Sequence, residues 1–339
     1  MAKTLRQAVR RRGTPIHASG AHQSIPVDAQ SRLPLIEEAA WPSVPAILNS
    51  STGETINRFI TDIENSEALS KNGLLSRFGL MLSGPPGTGK TLLAGHISSR
   101  LNKRFFIVRL DSLISSRLGE TAKNIRQIFD YAPTQDAVLL LDELDAIAKI
   151  RDDKQEIGEL KRIVNTVIQG LDSLSENAIV VAATNHARLL DPAIWRRFPY
   201  QCEVALPDDQ ARSELWMHYV YCDNRKHKKR CEVLSAMSSG FSGADIENVA
   251  LATRRLAVLN QIDLPEPQLL RALLRSSPPN LVFPELVKLR STDNEQIACS
   301  AIHHPGVEKS TLASMLKVTR QTIHNYITGC TDVRLLASE

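Results

Sequence analysis

An apolar run, GLMLS at residues 79–83, passes directly into GPPGTGKT at 84–91, and a helical pattern resumes beyond it. A G-x-x-x-x-G-K-[ST] loop works only where a strand delivers it and a helix leaves it. Its glycines turn consecutive backbone N–H groups inward on phosphate oxygens, and the helix N-terminus adds partial positive charge. Gly84, Pro85, Pro86, Gly87, Thr88, Gly89, Lys90 and Thr91 therefore form the expected nucleotide-binding loop. In such a loop the Lys90 ammonium reaches the terminal phosphates of ATP, and the Thr91 hydroxyl ligates Mg2+.

A loop of this kind needs a parallel sheet around it, and the sequence supplies the strands. Beyond 79–83, the runs RFFIVRL (104–110), AVLLLDE (137–143), AIVVAAT (178–184) and QCEVALP (201–207) are separated by helical stretches. Near-continuous apolar strands alternating with helices predict a five-stranded parallel sheet covered on both faces, an α/β architecture over residues 54–207. From 208 to 275 the pattern is helical, as in ARSELWMHYVY, GADIENVALATRRLAVL and PQLLRALLR, and reads as a helical lid. SSPPN at 276–280 marks a boundary before a C-terminal helical domain at 281–339. Residues 1–53 read as an irregular leader and linker: the first 40 are polar, and Pro15, Pro26 and Pro34 interrupt any period. Arg6, Arg10, Arg11 and Arg12 there read as a solvated basic tail.

The third strand ends in Asp142-Glu143 after VLLL, so two carboxylates arrive at the C-terminal edge of the sheet beside the phosphate loop. Asp142 suits the Mg2+ shell. Glu143 suits orientation of the attacking water, because in-line phosphoryl transfer needs a positioned nucleophile more than a strong base.

These residues resemble the AAA clade of AAA+ ATPases over roughly residues 54–275. The resemblance rests on GPPGTGKT, VLLLDELDAIA, AATN, DPAIWRRF, GLDSL and FSGADIENV. It implies that Asn185 is the sensor residue at the end of the fourth strand. It implies that Arg196 and Arg197 are arginine fingers, that Asp172 lies in an intersubunit signalling loop, and that Gly243 and Ala244 open a lid helix near the nucleotide. A finger that serves a neighbour's site requires subunits to touch, so the resemblance implies a homo-oligomeric ring, a hexamer.

Many members of the clade thread polypeptide through the pore with an aromatic residue. Here SSRLGETAKNIRQIF puts Arg117 at that position and leaves Leu118 as the apolar grip. The change favours switching or remodelling of a dedicated partner over processive unfolding.

Near the C-terminus, STLASMLKVTRQTIHNYI (310–327) has the pattern of a helix-turn-helix. Leu312, Ala313, Leu316, Val318, Ile323 and Tyr326 fall inward and Thr319 can cap the second helix. Arg320, Gln321, Thr322, His324 and Asn325 then face outward, residue types that bond phosphates and base edges of duplex DNA. Lys317 stands where such turns often carry Gly, at a cost of about 1 kcal/mol if its backbone is left-handed. A protein dock is the competing reading of this element.

The layout of leader, single AAA module and terminal helix-turn-helix resembles bacterial AAA ATPases encoded beside a subtilisin-like serine protease and associated with phage defence. Three classes stay open: a stand-alone protein remodeller, a DNA-binding ATPase that loads or regulates, and a scaffold subunit. With 41 basic and 37 acidic residues, composition by itself does not announce a nucleic-acid binder. The five cysteines show no CxxC pair and read as free thiols in a reducing, cytoplasmic setting. His218, Cys222, His227 and Cys231 form two i, i+4 pairs, for which buried thiols on a basic helix outweigh a zinc site. No apolar stretch is long enough to span a membrane.

Overall fold

The computed structural model describes residues 25–28, 31–74, 77–110, 118–149, 157–276, 293–301 and 307–336. The chain forms two units: Met1–Ala46 with Ser50–Ala205, and Ile47–Asn49 with Leu206–Glu339.

In the first unit six strands share one sheet: β1 (Glu37–Ala39), β2 (Phe78–Ser83), β3 (Arg104–Arg109), β4 (Ala137–Asp142), β5 (Ile179–Thr184) and β6 (Tyr200–Glu203), in the spatial order β1-β3-β4-β5-β2-β6. The five expected strands are all present and mutually parallel where they pair. Their central residues are buried because helices cover both faces: Leu80, Met81, Leu82, Val138, Leu140 and Val181 are completely inaccessible. The flanking helices are α1 (Ser50–Glu64), α2 (Ser66–Lys71), α3 (Lys90–Arg100), α4 (Leu118–Tyr131), α5 (Ala146–Lys149), α6 (Ile157–Ser173) and α7 (Pro192–Trp195). In α1 the buried residues Ile56, Phe59, Ile60 and Ile63 follow helical spacing. They cover the β6 edge, where Phe59 meets the Tyr200 ring edge-on at 5.0 Å and Tyr200 Oη donates to Asp62 at 2.7 Å.

The leader reading requires a correction. Residues 37–39 pair antiparallel with β3, Glu38 opposite Phe106, so the sheet has a sixth strand inside a segment read as irregular. The sequence EEA has no strand alternation of its own, and the pairing comes from its partner. Arg104 on β3 donates two hydrogen bonds to Glu38, at 2.7 and 2.9 Å, while Leu35 and Ile36 are buried just before the strand.

The second unit is helical: α8 (Asp209–Tyr221), α9 (Lys228–Met237), α10 (Gly243–Leu259), α11 (Glu266–Ser276), α12 (Asp293–Ala301), α13 (Lys309–Leu316) and α14 (Arg320–Leu336). One apolar core joins them, with Trp216, Leu234, Ile246, Leu273, Ile297 and Ile323 among its members. Helices read as lid and helices read as C-terminal domain thus share a core. Between α13 and α14 Lys317 adopts φ 57, ψ 42, the left-handed conformation considered for it, and Thr319 Oγ1 accepts from the Thr322 N–H at 3.1 Å.

Among the described residues no group of three or more His, Cys, Asp or Glu is placed to hold a metal. His218 instead meets Asp223 at 3.1 Å, His227 stacks on Tyr221, and Cys231 is buried, which pushes its thiol up to about 12. The reading of five free thiols is also corrected. Cys202, Cys222 and Cys231 are free, but Cys299 is disulfide-bonded. Spacing along the chain does not reveal which helix faces meet, and α12, which carries Cys299, packs on α14. Among the described residues no helix is long and apolar enough to cross a membrane.

Candidate active site

The C-terminal ends of three neighbouring strands converge. Ser83 on β2 lies in register with Thr184 on β5, and β5 pairs with β4, which ends at Asp142. The phosphate loop leaves β2 at Gly84, whose N–H donates to Thr184 O at 3.3 Å. A Cβ at Gly84 would lie 2.2 Å from Val204 O, and its φ of 149° is hostile to side chains. Only glycine lets the loop pass beneath the backbone that follows β6. Gly87 and Gly89 also take positive φ, and Gly89 directly precedes α3. Lys90, at the start of α3, is buried, and its Nζ donates to Gly84 O at 2.9 Å and Pro85 O at 2.8 Å. Burial lowers its pKa, opposed by the charges of Asp142 and Asp145.

Thr91 Oγ1 donates to Asp142 Oδ2 at 2.7 Å, so a helix hydroxyl and a strand carboxylate meet at one point. Two hard oxygen donors beside a phosphate cradle fit Mg2+, which prefers few protein ligands and completes its shell with water and substrate phosphates. The other Asp142 oxygen accepts from the Glu143 N–H at 2.9 Å. Glu143 is exposed and left-handed, φ 55, an uncommon conformation for a non-glycine residue and one that gathers at functional sites.

Sequence reasoning assigned no role to Asp145. Its carboxylate, 1% exposed, accepts from Thr184 Oγ1 at 3.1 Å and from the Asn185 N–H at 3.2 Å. It thereby ties the segment after β4 to the end of β5 and sets where Asn185 stands. The available signal was its place in LDELDA, three residues beyond Asp142.

Arg196 and Arg197 do not join this edge. A Cβ on Gly79, near the start of β2, would meet Arg197 O at 2.8 Å and the Phe198 ring at 3.2 Å. The arginines therefore sit at the opposite end of the strand from the loop, about 17 Å away for a five-residue step. There Arg197 Nη2 donates to Asp172 Oδ2 at 2.9 Å, and Arg77 Nη1 reaches Asp172 Oδ1 at 3.2 Å. Arg196 is exposed.

Gly243 and Ala244 belong to the second unit, where they open α10 beneath a capping box in which Ser242 and Asp245 exchange hydrogen bonds at 2.9 and 3.2 Å. Arg117 lies outside the described residues, and Leu118 begins α4. In the C-terminal helix pair Arg320, Gln321, His324 and Asn325 are exposed and Thr322 is half-buried.

A mostly parallel sheet with a glycine loop, an adjacent lysine and a strand-end Asp-Glu pair defines a P-loop nucleoside triphosphatase. Residues 80–206 match the family described as "ATPase family associated with various cellular activities (AAA)". The chain is 41% identical over 152 residues to an uncharacterized AAA family ATPase, y4kL, of Sinorhizobium fredii, covering 45% of this chain and 46% of the relative. It is 33% identical over 221 residues to a proteasome-activating nucleotidase of Sulfurisphaera tokodaii, covering 63% and 56%. With one from Saccharolobus solfataricus it shares 35% over 205 residues, covering 58% and 52%. The chain spans about half the length of these relatives.

Proposed function

We propose that the protein works as a homo-oligomer, a hexameric ring, that hydrolyses ATP to ADP and phosphate and uses the cycle to switch or remodel a dedicated protein partner. The observation that carries this reading is the separation of Arg196 from the phosphate loop along β2 of its own chain. A finger held at the far end of the strand cannot serve its own nucleotide. It can serve the site of a neighbour.

In the proposed cycle Lys90 exchanges its two loop carbonyls for the phosphate oxygens of ATP, and the N–H groups of the loop and of the start of α3 complete the cradle. Thr91 and Asp142 would hold Mg2+, which when bound neutralises charge on the phosphates. Glu143 orients the attacking water from the strand end. Asn185, fixed through Asp145, stands beside the same edge as the polar sensor of the terminal phosphate. Arg196 of the adjacent subunit stabilises charge developing in the transition state.

Relatives named proteasome-activating nucleotidase support a protease as the class of partner. The layout of the chain narrows that proposal to a subtilisin-like serine protease, with Arg117 and Leu118 at the central pore. The test is a mixing experiment: Arg196→Ala and Lys90→Ala proteins, each inactive alone, should recover phosphate release together. Recovery of nothing, with a monomeric mass in solution at every concentration, would end the proposal.

A further inference from the structure

Residues 225–230 read RKHKKR, five cations in six positions, and ATP hydrolysis has no use for them. We infer that the second unit binds duplex DNA across a surface made by this basic segment together with the helix pair α13 and α14.

The segment is held in place from one side. Cys222 and Asp223 turn left-handed, φ 49 and 65, and end α8 abruptly. The Asn224 side chain then accepts from the Lys226 N–H at 3.2 Å, shaping the turn that follows. His227 stacks on Tyr221 with centroids 4.3 Å apart and planes within 10°. Arg230 folds back, its guanidinium 3.2 Å from Glu266 and 3.4 Å from the Ser314 hydroxyl. With these anchors turned inward, Arg225, Lys226 and Lys228 stay exposed and form no ion pair among the described residues.

Two contacts bring the segment alongside α13: Arg230 with Ser314, and Lys229 Nζ with Glu308 Oε1 at 2.6 Å. The second covers the acidic group closest to the start of the helix pair. From there the cationic surface continues through Lys309, Lys317 and Arg320 without another acid up to residue 327. Gln321 and Asn325, exposed one turn apart and hydrogen-bonded at 3.2 Å, carry amides of the kind that read adenine edges.

The pairing of free cations with an exposed helix bearing amides favours a duplex over an acidic peptide, which would need the charge alone. It favours DNA over RNA because the RNA major groove is too deep and narrow for such a helix. In this arrangement Arg225, Lys226 and Lys228 contact phosphates, and the first turns of α14 enter the groove.

The test uses the full-length protein and a fluorescent 30-base-pair duplex of mixed sequence, with anisotropy read at several salt concentrations. Wild type should bind with log K falling steeply against log salt. Joint Arg225→Gln, Lys226→Gln and Lys228→Gln changes should weaken binding at least about tenfold at low salt and flatten the slope by about 2 to 3, near 0.9 for each phosphate that is no longer neutralised. Lys228→Gln alone should flatten it by about 1. No duplex binding by wild type at low salt would overturn the inference, as would an unchanged slope in the triple variant. So would a triple variant that keeps the duplex but loses polyglutamate or anionic vesicles.

Discussion

Asp172 holds Arg197 within a single chain, accepting from Nη2 at 2.9 Å and Nε at 3.2 Å, while Arg196 one residue earlier carries no carboxylate partner among the described residues. The two adjacent arginines are therefore not equivalent. Arg197, also bonded to Ala193 O at 3.0 Å, positions the loop, and Arg196 is free to reach outward. Arg196→Ala should lower kcat by about 10³ or more, the scale of a lost finger. Arg197→Ala and Asp172→Ala should resemble each other and fall less. Steady-state phosphate release decides: equal, maximal loss in both arginine variants with none in Asp172→Ala would refute the division.

The same pair makes stability depend on pH. The hydrogen bond from Arg197 lowers the pKa of Asp172, so the folded state binds this proton less readily than the unfolded chain. A depressed carboxylate contributes stability above its unfolded value of about 3.9, and that contribution disappears as pH falls through the lower folded value. Wild type should exceed Asp172→Asn in urea midpoint at pH 7, and the gap should close below pH 4. The gap should be small because both side chains are part exposed. A gap that widens in acid would reverse the sign argued here.

Lys90 and Glu143 should separate binding from chemistry. Lys90→Ala removes a buried cation aimed at ground-state phosphate charge and should abolish nucleotide binding. Glu143→Gln should bind ATP and stall. Glu143→Gly should stall as well, yet resist denaturant better than Glu143→Gln by about 1 kcal/mol, since glycine adopts φ 55 without strain. Equilibrium denaturation of the nucleotide-free proteins gives the comparison, and lower stability for the glycine variant would show that the left-handed residue is unstrained.

Asp145→Ala should cost about 1–3 kcal/mol, because it leaves the buried Thr184 hydroxyl and the Asn185 N–H without their acceptor. Hydrolysis should drop with ATP affinity largely kept, as the sensor position loosens while the phosphate loop stays intact. Titration with a fluorescent ATP analogue beside turnover would expose the opposite pattern.

What could be read in the sequence was what local chemistry dictates. An apolar strand running into GPPGTGKT leaves few folds available, and VLLLDE announces carboxylates at a strand end, so the loop, Asp142 and Glu143 could be named with their neighbours on the sheet. Asp145 could not, because a carboxylate near a helix start reads as solvated until folding places it under Thr184. The left-handed Lys317 was readable only as a condition on the turn, which the backbone meets. The run of cations RKHKKR looked like an ordinary basic helix. Its proximity to α13 depends on Arg230 and Lys229 reaching across 84 and 79 residues of chain.

The short strand Glu37–Ala39 has a consequence for solubility. Without it β3, whose residues Phe105 to Val108 are apolar, would present a bare row of N–H and C=O groups, a template for pairing with any other extended chain. Three residues carrying two acids close that edge and then present a charged border too brief to recruit a further strand. Protein lacking residues up to 39 would therefore be prone to aggregate edge to edge, even with every group of the nucleotide site in place.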